Sequence, residues 1–188
     1  NSFDQLYFMD DLRSKLEKIV SDLKSDVSSL RTGRATPALV EDLEINAYGS
    51  SQPLKAVAAI STPEPRQILI QPWDKSMLPA IEKAVQASSL GLNPVADKDA
   101  IRLILPMLTE ERKMDLVRIL KGKMESSRIQ LRRIRDEAMK EIESRERAKE
   151  ISEDQKFREK QEVEKAAGEC NRKIDGLVEA KEREIMTG

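Results

Sequence analysis

Between Arg112 and Arg135 nine basic residues, at 112, 113, 118, 121, 123, 128, 132, 133 and 135, stand against two acidic ones, Asp115 and Glu125, a local excess of +7. Arg128, Arg132 and Arg135 fall at i, i+4 and i+7, so a helix would carry them on one face, and Arg118 and Lys121 extend that face. A guanidinium is planar and suited to bidentate contact with phosphate oxygens. The segment therefore reads either as a solvated face neutralised by acids of a neighbouring helix or as a linear rail for phosphates. Four arginines between Arg128 and Arg135 are more than solubility needs. No aromatic is interleaved from Arg112 to Arg135, which argues against stacking on single-stranded bases and for phosphate and shape contacts to folded, double-helical RNA. A formal net charge of -1 over 188 residues by itself argues against bulk attraction to nucleic acid, so the distribution has to decide.

Other chemistry is scarce. The chain has no histidine, hence no imidazole for a triad, a zinc site or a general base at neutral pH, and neither GxxxxGK[ST] nor GxGxxG occurs. No catalytic residue, metal ligand or cofactor is expected. Cys170 is alone, so no intramolecular disulfide forms, and it reads as a small buried residue in a reducing compartment. Trp73 and the Tyr48-Gly49 pair read as core edge and turn. No run approaches the roughly 18 apolar residues of a membrane span, and the N-terminus lacks the layout of a signal peptide. A cytoplasmic protein without a membrane partner is expected.

The elements that must position the rail follow from proline and periodicity. All eight prolines lie between Pro37 and Pro106, and proline inside a helix costs about 3 kcal/mol, so that block differs from its flanks. Leu12, Leu16, Ile19, Leu23, Val27 and Leu30 give one apolar stripe on an N-terminal helix. Beyond Pro106, Thr109 can cap a helix with Glu110 and Glu111 at the positive end of its dipole, and Val117, Leu120, Met124, Leu131, Ile134 and Ala138 continue the spacing. This helix is predicted to run to about residue 148, roughly 60 Å at 1.5 Å per residue. Ser152 to Gln155 reads as a capping box opening a third helix that buries Val163, Ala167, Cys170, Ile174 and Leu177.

The expected architecture is α+β: a discontinuous three-helix bundle, residues 1–30 and 106–188, with a small β/α/β domain inserted at 31–105. Within the insert, Leu43, Ile45 and Ala47 alternate as a strand, Gly49 to Pro53 turns the chain, and Val57–Ile60, Gln67–Gln71 and Ile101–Leu105 are short apolar runs. Met77, Ile81, Ala84 and Val85 suit one short helix capped by Ser76. Only two segments cross between domains, so a hinge is expected near 31–37 and 105–106, at Gly33, Arg34, Pro37, Leu105 and Pro106. Arg31 to Arg34 also reads as a helix stop, with Gly33 free to turn left-handed.

In order along the chain, Arg31-Thr32-Gly33-Arg34-Ala35-Thr36-Pro37, Trp73-Asp74-Lys75-Ser76-Met77, Ser89-Leu90-Gly91-Leu92-Asn93-Pro94, Leu108-Thr109-Glu110-Glu111-Arg112 and Glu150-Ile151-Ser152-Glu153-Asp154 resemble the ribosome recycling factors. The resemblance implies an L-shaped molecule whose bundle docks on large-subunit ribosomal RNA. It also implies a non-enzymatic translation factor, working as a monomer, that acts with elongation factor G and GTP to split post-termination ribosomes. The family's docking-helix pattern Arg-Asn-Ile/Val-Arg-Arg meets Arg132-Arg133-Ile134-Arg135-Asp136 here, so Arg132 and Arg135 carry over, while Arg133 replaces an asparagine and Asp136 an arginine. The ribosomal RNA contacts implied are Arg31, Arg128, Arg132, Arg133 and Arg135. Residues 1–8 match nothing in the family pattern, and the missing initiator methionine suggests processing or an expression remnant. The rival from another class is an adaptor whose bundle holds a partner helix; it would ignore large ribosomal subunits.

Overall fold

Apolar residues recurring every three or four positions draw both ends of the chain into helices, and the proline-bearing block between them into strands and turns. The computed structural model describes residues 2–187. Its elements in chain order are α1 (Ser2–Ser28), β1 (Glu44–Ala47), β2 (Ser50–Pro53), the single turn α2 (Leu54–Val57), β3 (Ala58–Glu64), β4 (Gln67–Pro72), α3 (Leu78–Ala87), β5 (Pro94–Ala96), β6 (Ile101–Ile104), α4 (Glu110–Arg147) and α5 (Glu153–Thr187). They fall into two compact units, one running to Arg31 and resuming at Glu111, the other spanning Thr32–Glu110.

In the helical unit α1 buries Leu12, Leu16, Ile19, Leu23 and Val27, as the spacing predicts, with Met9 added in front. Its stop is not the glycine. The helix ends at Ser28, where the Ser28 and Ser29 hydroxyls donate to the Lys24 and Asp26 carbonyls at 2.7 Å, and Gly33 lies beyond. On α4 the buried apolar residues are Leu116, Leu120, Leu131, Ala138 and Ile142, with Val117, Met124 and Ile134 half-buried beside them. Val178 replaces the expected Leu177 on α5, being one full turn past Ile174. The capping box forms: the Gln155 side-chain oxygen accepts from the Ser152 N–H at 2.9 Å, and the Ser152 hydroxyl accepts from the Gln155 N–H at 3.2 Å.

The turn between α4 and α5 is a Schellman motif, in which the Glu150 N–H reaches the Arg145 carbonyl and the Lys149 N–H that of Glu146, both at 2.9 Å. Lys149 occupies its left-handed position at φ 61°. Of residues 1–8, Asn1 lies outside the described residues, but Phe8 is half-buried, with the Arg145 guanidinium 5.6 Å above its ring.

In the sheet unit β3, β4, β6 and β5 form one antiparallel sheet in that order, and β1 and β2 a separate hairpin. The Gly49–Pro53 turn is not observed: Ser50–Pro53 is strand β2, and Tyr48 and Gly49 alone turn the chain, at φ 53° and 79°. A two-residue hairpin of this kind needs both central residues left-handed, which glycine accepts freely and tyrosine does not. Tyr48 is held there by its hydroxyl, which donates to Asp74 at 2.6 Å. Asp74, not Ser76, caps the helical entry, accepting from the Ser76 N–H and hydroxyl. The hydrogen bonds from Tyr48 and then Ser76 hold the Asp74 carboxyl below its ordinary range, and the same Tyr48 bond pushes the phenol up. Trp73 is 69% exposed and so is no part of the core. That core is Ile45, Leu54, Ile68, Ile70, Ile81 and Ile101 with their neighbours.

Candidate functional site

α4 carries the rail along the border of the bundle seam. With Leu120, Leu131 and Ala138 buried, Arg118, Lys121, Arg132 and Arg133 are turned outward and exposed. The fold treats the expected contacts differently. Arg128 reaches across to Asp175 on α5, and Arg135 reaches Glu164 there at 2.8 Å. Among the described residues Arg132 and Arg133 are paired with carboxylates of their own helix, Glu125 and Glu137, each at 3.9 Å, beyond hydrogen-bonding reach. Their side chains are 62% and 72% exposed. The fold thus divides the rail: Arg128 and Arg135 pair with acids of the neighbouring helix, whereas Arg132 and Arg133 are exposed with no α5 carboxylate paired to them among the described residues.

Arg128, Arg132 and Arg135 line one groove between α4 and α5, closed on the α5 side by Glu164, Ala167, Gly168 and Asn171. The Arg128 Nε–H is buried there without a hydrogen-bond partner. Next along the groove, Phe157 and Met139 flank Arg135, with Phe157 64% exposed. The absence of aromatics holds along α4 alone; α5 supplies one from 22 residues beyond Arg135, which no spacing rule within α4 could find.

Toward its far end the α4–α5 seam is sealed by ion pairs. Lys160 meets Glu143 at 2.8 Å and holds that carboxyl below its usual range, and Lys156 meets Glu146 at 3.2 Å. Arg145 meets Glu159 at 2.8 Å with Glu159 only 1% exposed, a buried pair unforeseen because charge pattern alone does not report burial. Cys170 is buried, its thiol pushed up by burial and aimed at the Leu16 carbonyl at 3.7 Å.

Arg31 is exposed at the end of the helical unit, and the expected hinge residues all fall within the sheet unit. Gly33 has φ 75°, and a Cβ there would sit 3.3 Å from Leu108 Cγ. Arg34 is exposed, whereas Pro37 opens a 3-10 turn. The Ala35 N–H donates to the Pro65 carbonyl at 2.7 Å, and the buried Leu105 donates to that of Arg66 at 2.8 Å, with Pro106 exposed next to it. Among the described residues no cluster of His, Cys, Asp or Glu could hold a metal ion, and no helix is long and apolar enough to cross a membrane.

Fold and groove define a three-helix bundle interrupted by a sheet unit and carrying an arginine-lined furrow on its surface. The sequence profile described as ribosome recycling factor matches residues 23–186. A ribosome-recycling factor of Natranaerobius thermophilus is 43% identical over 94% of this chain and 96% of its own length, and one of Symbiobacterium thermophilum 41% over 94% and 95%. A solution structure of a ribosome recycling factor superposes with a TM-score of 0.68 at 40% identity, covering 98% of both chains. A second solved chain, from models for the T. thermophilus ribosome recycling factor and the E. coli elongation factor G bound to the E. coli post-termination complex, has a TM-score of 0.59 at 39% identity over 96% and 98%. The chain belongs to the ribosome recycling factor family, a family of translation factors.

Proposed function

We propose that this chain binds ribosomes after termination and, with elongation factor G and GTP, splits them into subunits so that messenger and transfer RNA are released. The bundle docks on large-subunit ribosomal RNA, with Arg132 and Arg133 contacting phosphates directly, Arg31 adding to the positive field, and Arg128 and Arg135, paired to Asp175 and Glu164, shaping the groove beside them. The observation that carries this reading is the exposure of Arg132 and Arg133 without close acidic partners, beside a groove lined by further arginines. Splitting of post-termination complexes into subunits, followed by light scattering with and without elongation factor G and GTP, tests it; no splitting with both present overturns it. Arg132→Gln with Arg133→Gln should weaken binding to large subunits and flatten its salt dependence, which for B-DNA changes by about 0.9 per phosphate contact.

The chain supplies binding and mechanical coupling, and bond chemistry belongs to the partner GTPase. It works as a monomer in the cytoplasm. The two units reorient about the two segments of chain that pass between them, where the helical unit ends at Arg31 and resumes at Glu111. Spin labels at Ser28 and Ser50 should give a broad distance distribution; a single narrow distance overturns the hinge.

A further inference from the structure

The ion pairs between α4 and α5 form a ladder that skips the turn between Arg128–Asp175 and Arg135–Glu164. At one end stands Arg128–Asp175; farther along come Arg135–Glu164, Lys160–Glu143, Lys156–Glu146 and Arg145–Glu159. The two helices run antiparallel, so one turn forward from Arg128 on α4 corresponds to one turn back from Asp175 on α5. Arg132 thereby comes level with Asn171, with Gly168 one residue short of a further turn along α5. Both are uncharged and both line the groove that Arg132 lines. At this rung the basic residue of α4 has an uncharged residue of α5 opposite it, between two rungs where arginines of α4 meet acids of α5.

Three features of the gap suit a phosphate. Arg128 and Arg135 are tethered at its two ends by Asp175 and Glu164, so their guanidinium groups are held in place before any ligand arrives. Gly168 has no side chain to fill the floor, and a Cβ there would meet only Arg172 Nη1, at 3.9 Å. Asn171 brings an amide, able to donate, where an acid would repel.

We infer that the gap in the α4–α5 ion-pair ladder is a phosphate subsite for the RNA backbone, in which Arg132 supplies the charge, Asn171 a hydrogen bond and Gly168 the room. This rests on the RNA-docking reading of the rail and adds α5 to it. The subsite is read from the residue that is missing: an acid at 171 would complete the ladder and occupy Arg132.

The test is Asn171→Asp, nearly isosteric, which places a carboxylate opposite Arg132. The control is Gln130→Glu, an equal charge change at an exposed α4 position on another side of that helix. Affinity for large ribosomal subunits is measured across a salt series alongside thermal melting. Asn171→Asp should weaken binding at least tenfold and flatten the salt dependence by about one phosphate contact, while melting no lower than the parent. Gln130→Glu should change affinity less than threefold. Gly168→Leu, which fills the floor without charge, should also weaken binding. Adding Asn171→Asp to Arg132→Gln should cost little more than either change alone, because both act at one phosphate. Equal, small effects of Asn171→Asp and Gln130→Glu overturn the subsite. If Arg132→Gln still weakens binding in that case, the rail stands without the gap; if it does not, the RNA reading of the rail falls as well.

Discussion

In the sheet unit Ile45, Leu54, Ile68, Ile81 and Leu103 are fully buried, and Thr32 is the one buried polar residue described there; the helical unit buries Lys113, Ser127 and Glu159 along its seam. The difference follows from shape. A sheet packed by a short helix encloses a centre that charge need not reach. Three long helices share a strip a few side chains wide, so residues flanking it are half-buried whatever their type. Charge on the bundle therefore has two uses, pairing across the helices and facing outward, and the arginines of α4 are divided between them.

The largest effect is expected where the bundle departs most from an apolar interior. Arg145→Ala leaves the Glu159 carboxylate, 1% exposed, without its partner, and should cost about 3–5 kcal/mol. Replacing both residues together, by Met and Leu, should recover most of that. Denaturant unfolding followed by circular dichroism measures it, and a loss under 1 kcal/mol would show that water reaches Glu159.

Ile101→Ala in the sheet unit removes a fully buried side chain and should cost about 2–5 kcal/mol. Amide exchange should accelerate across β3 to β6 and stay unchanged in α1, α4 and α5, because the units are compact separately. Equal acceleration in both would end the contrast between them.

Lys149→Gly relieves a left-handed, β-carbon-bearing residue in the turn between α4 and α5. It should stabilise the bundle by up to about 1 kcal/mol, readable as a raised melting temperature.

The smallest effect is at the exposed Tyr48–Asp74 bond. Asp74 is lowered in the fold, so its contribution is full above the unfolded carboxyl's range and is lost as pH falls through the folded value. Tyr48 is raised, so its contribution is full below the unfolded phenol's range and is lost as pH rises through the folded one. The stability difference between the parent and Tyr48→Phe should therefore be flat through neutral pH and shrink at both extremes. A difference that does not change with pH would show that the bond is not formed in solution.

Periodicity and proline placement by themselves determined the three long helices, the capping box at Ser152 and the inserted block, because those signals act within a few residues of chain. The ordered motifs determined the family. Strand β5, opening on Pro94, and β2, with its polar Ser50 to Gln52, carried too little apolar pattern to stand out. Trp73 gave no sign of its exposure, since a large aromatic fits a core edge or a surface equally well by type. What only the tertiary structure decided was the allotment of charge. Arg128, Arg132 and Arg135 share one face of one helix and are indistinguishable by spacing, yet Asp175, Asn171 and Glu164 on another helix determine which are paired across the seam and which has no acid opposite it. That assignment depends on the register of two antiparallel helices, set by packing between residues tens of positions apart, and no local pattern encodes it.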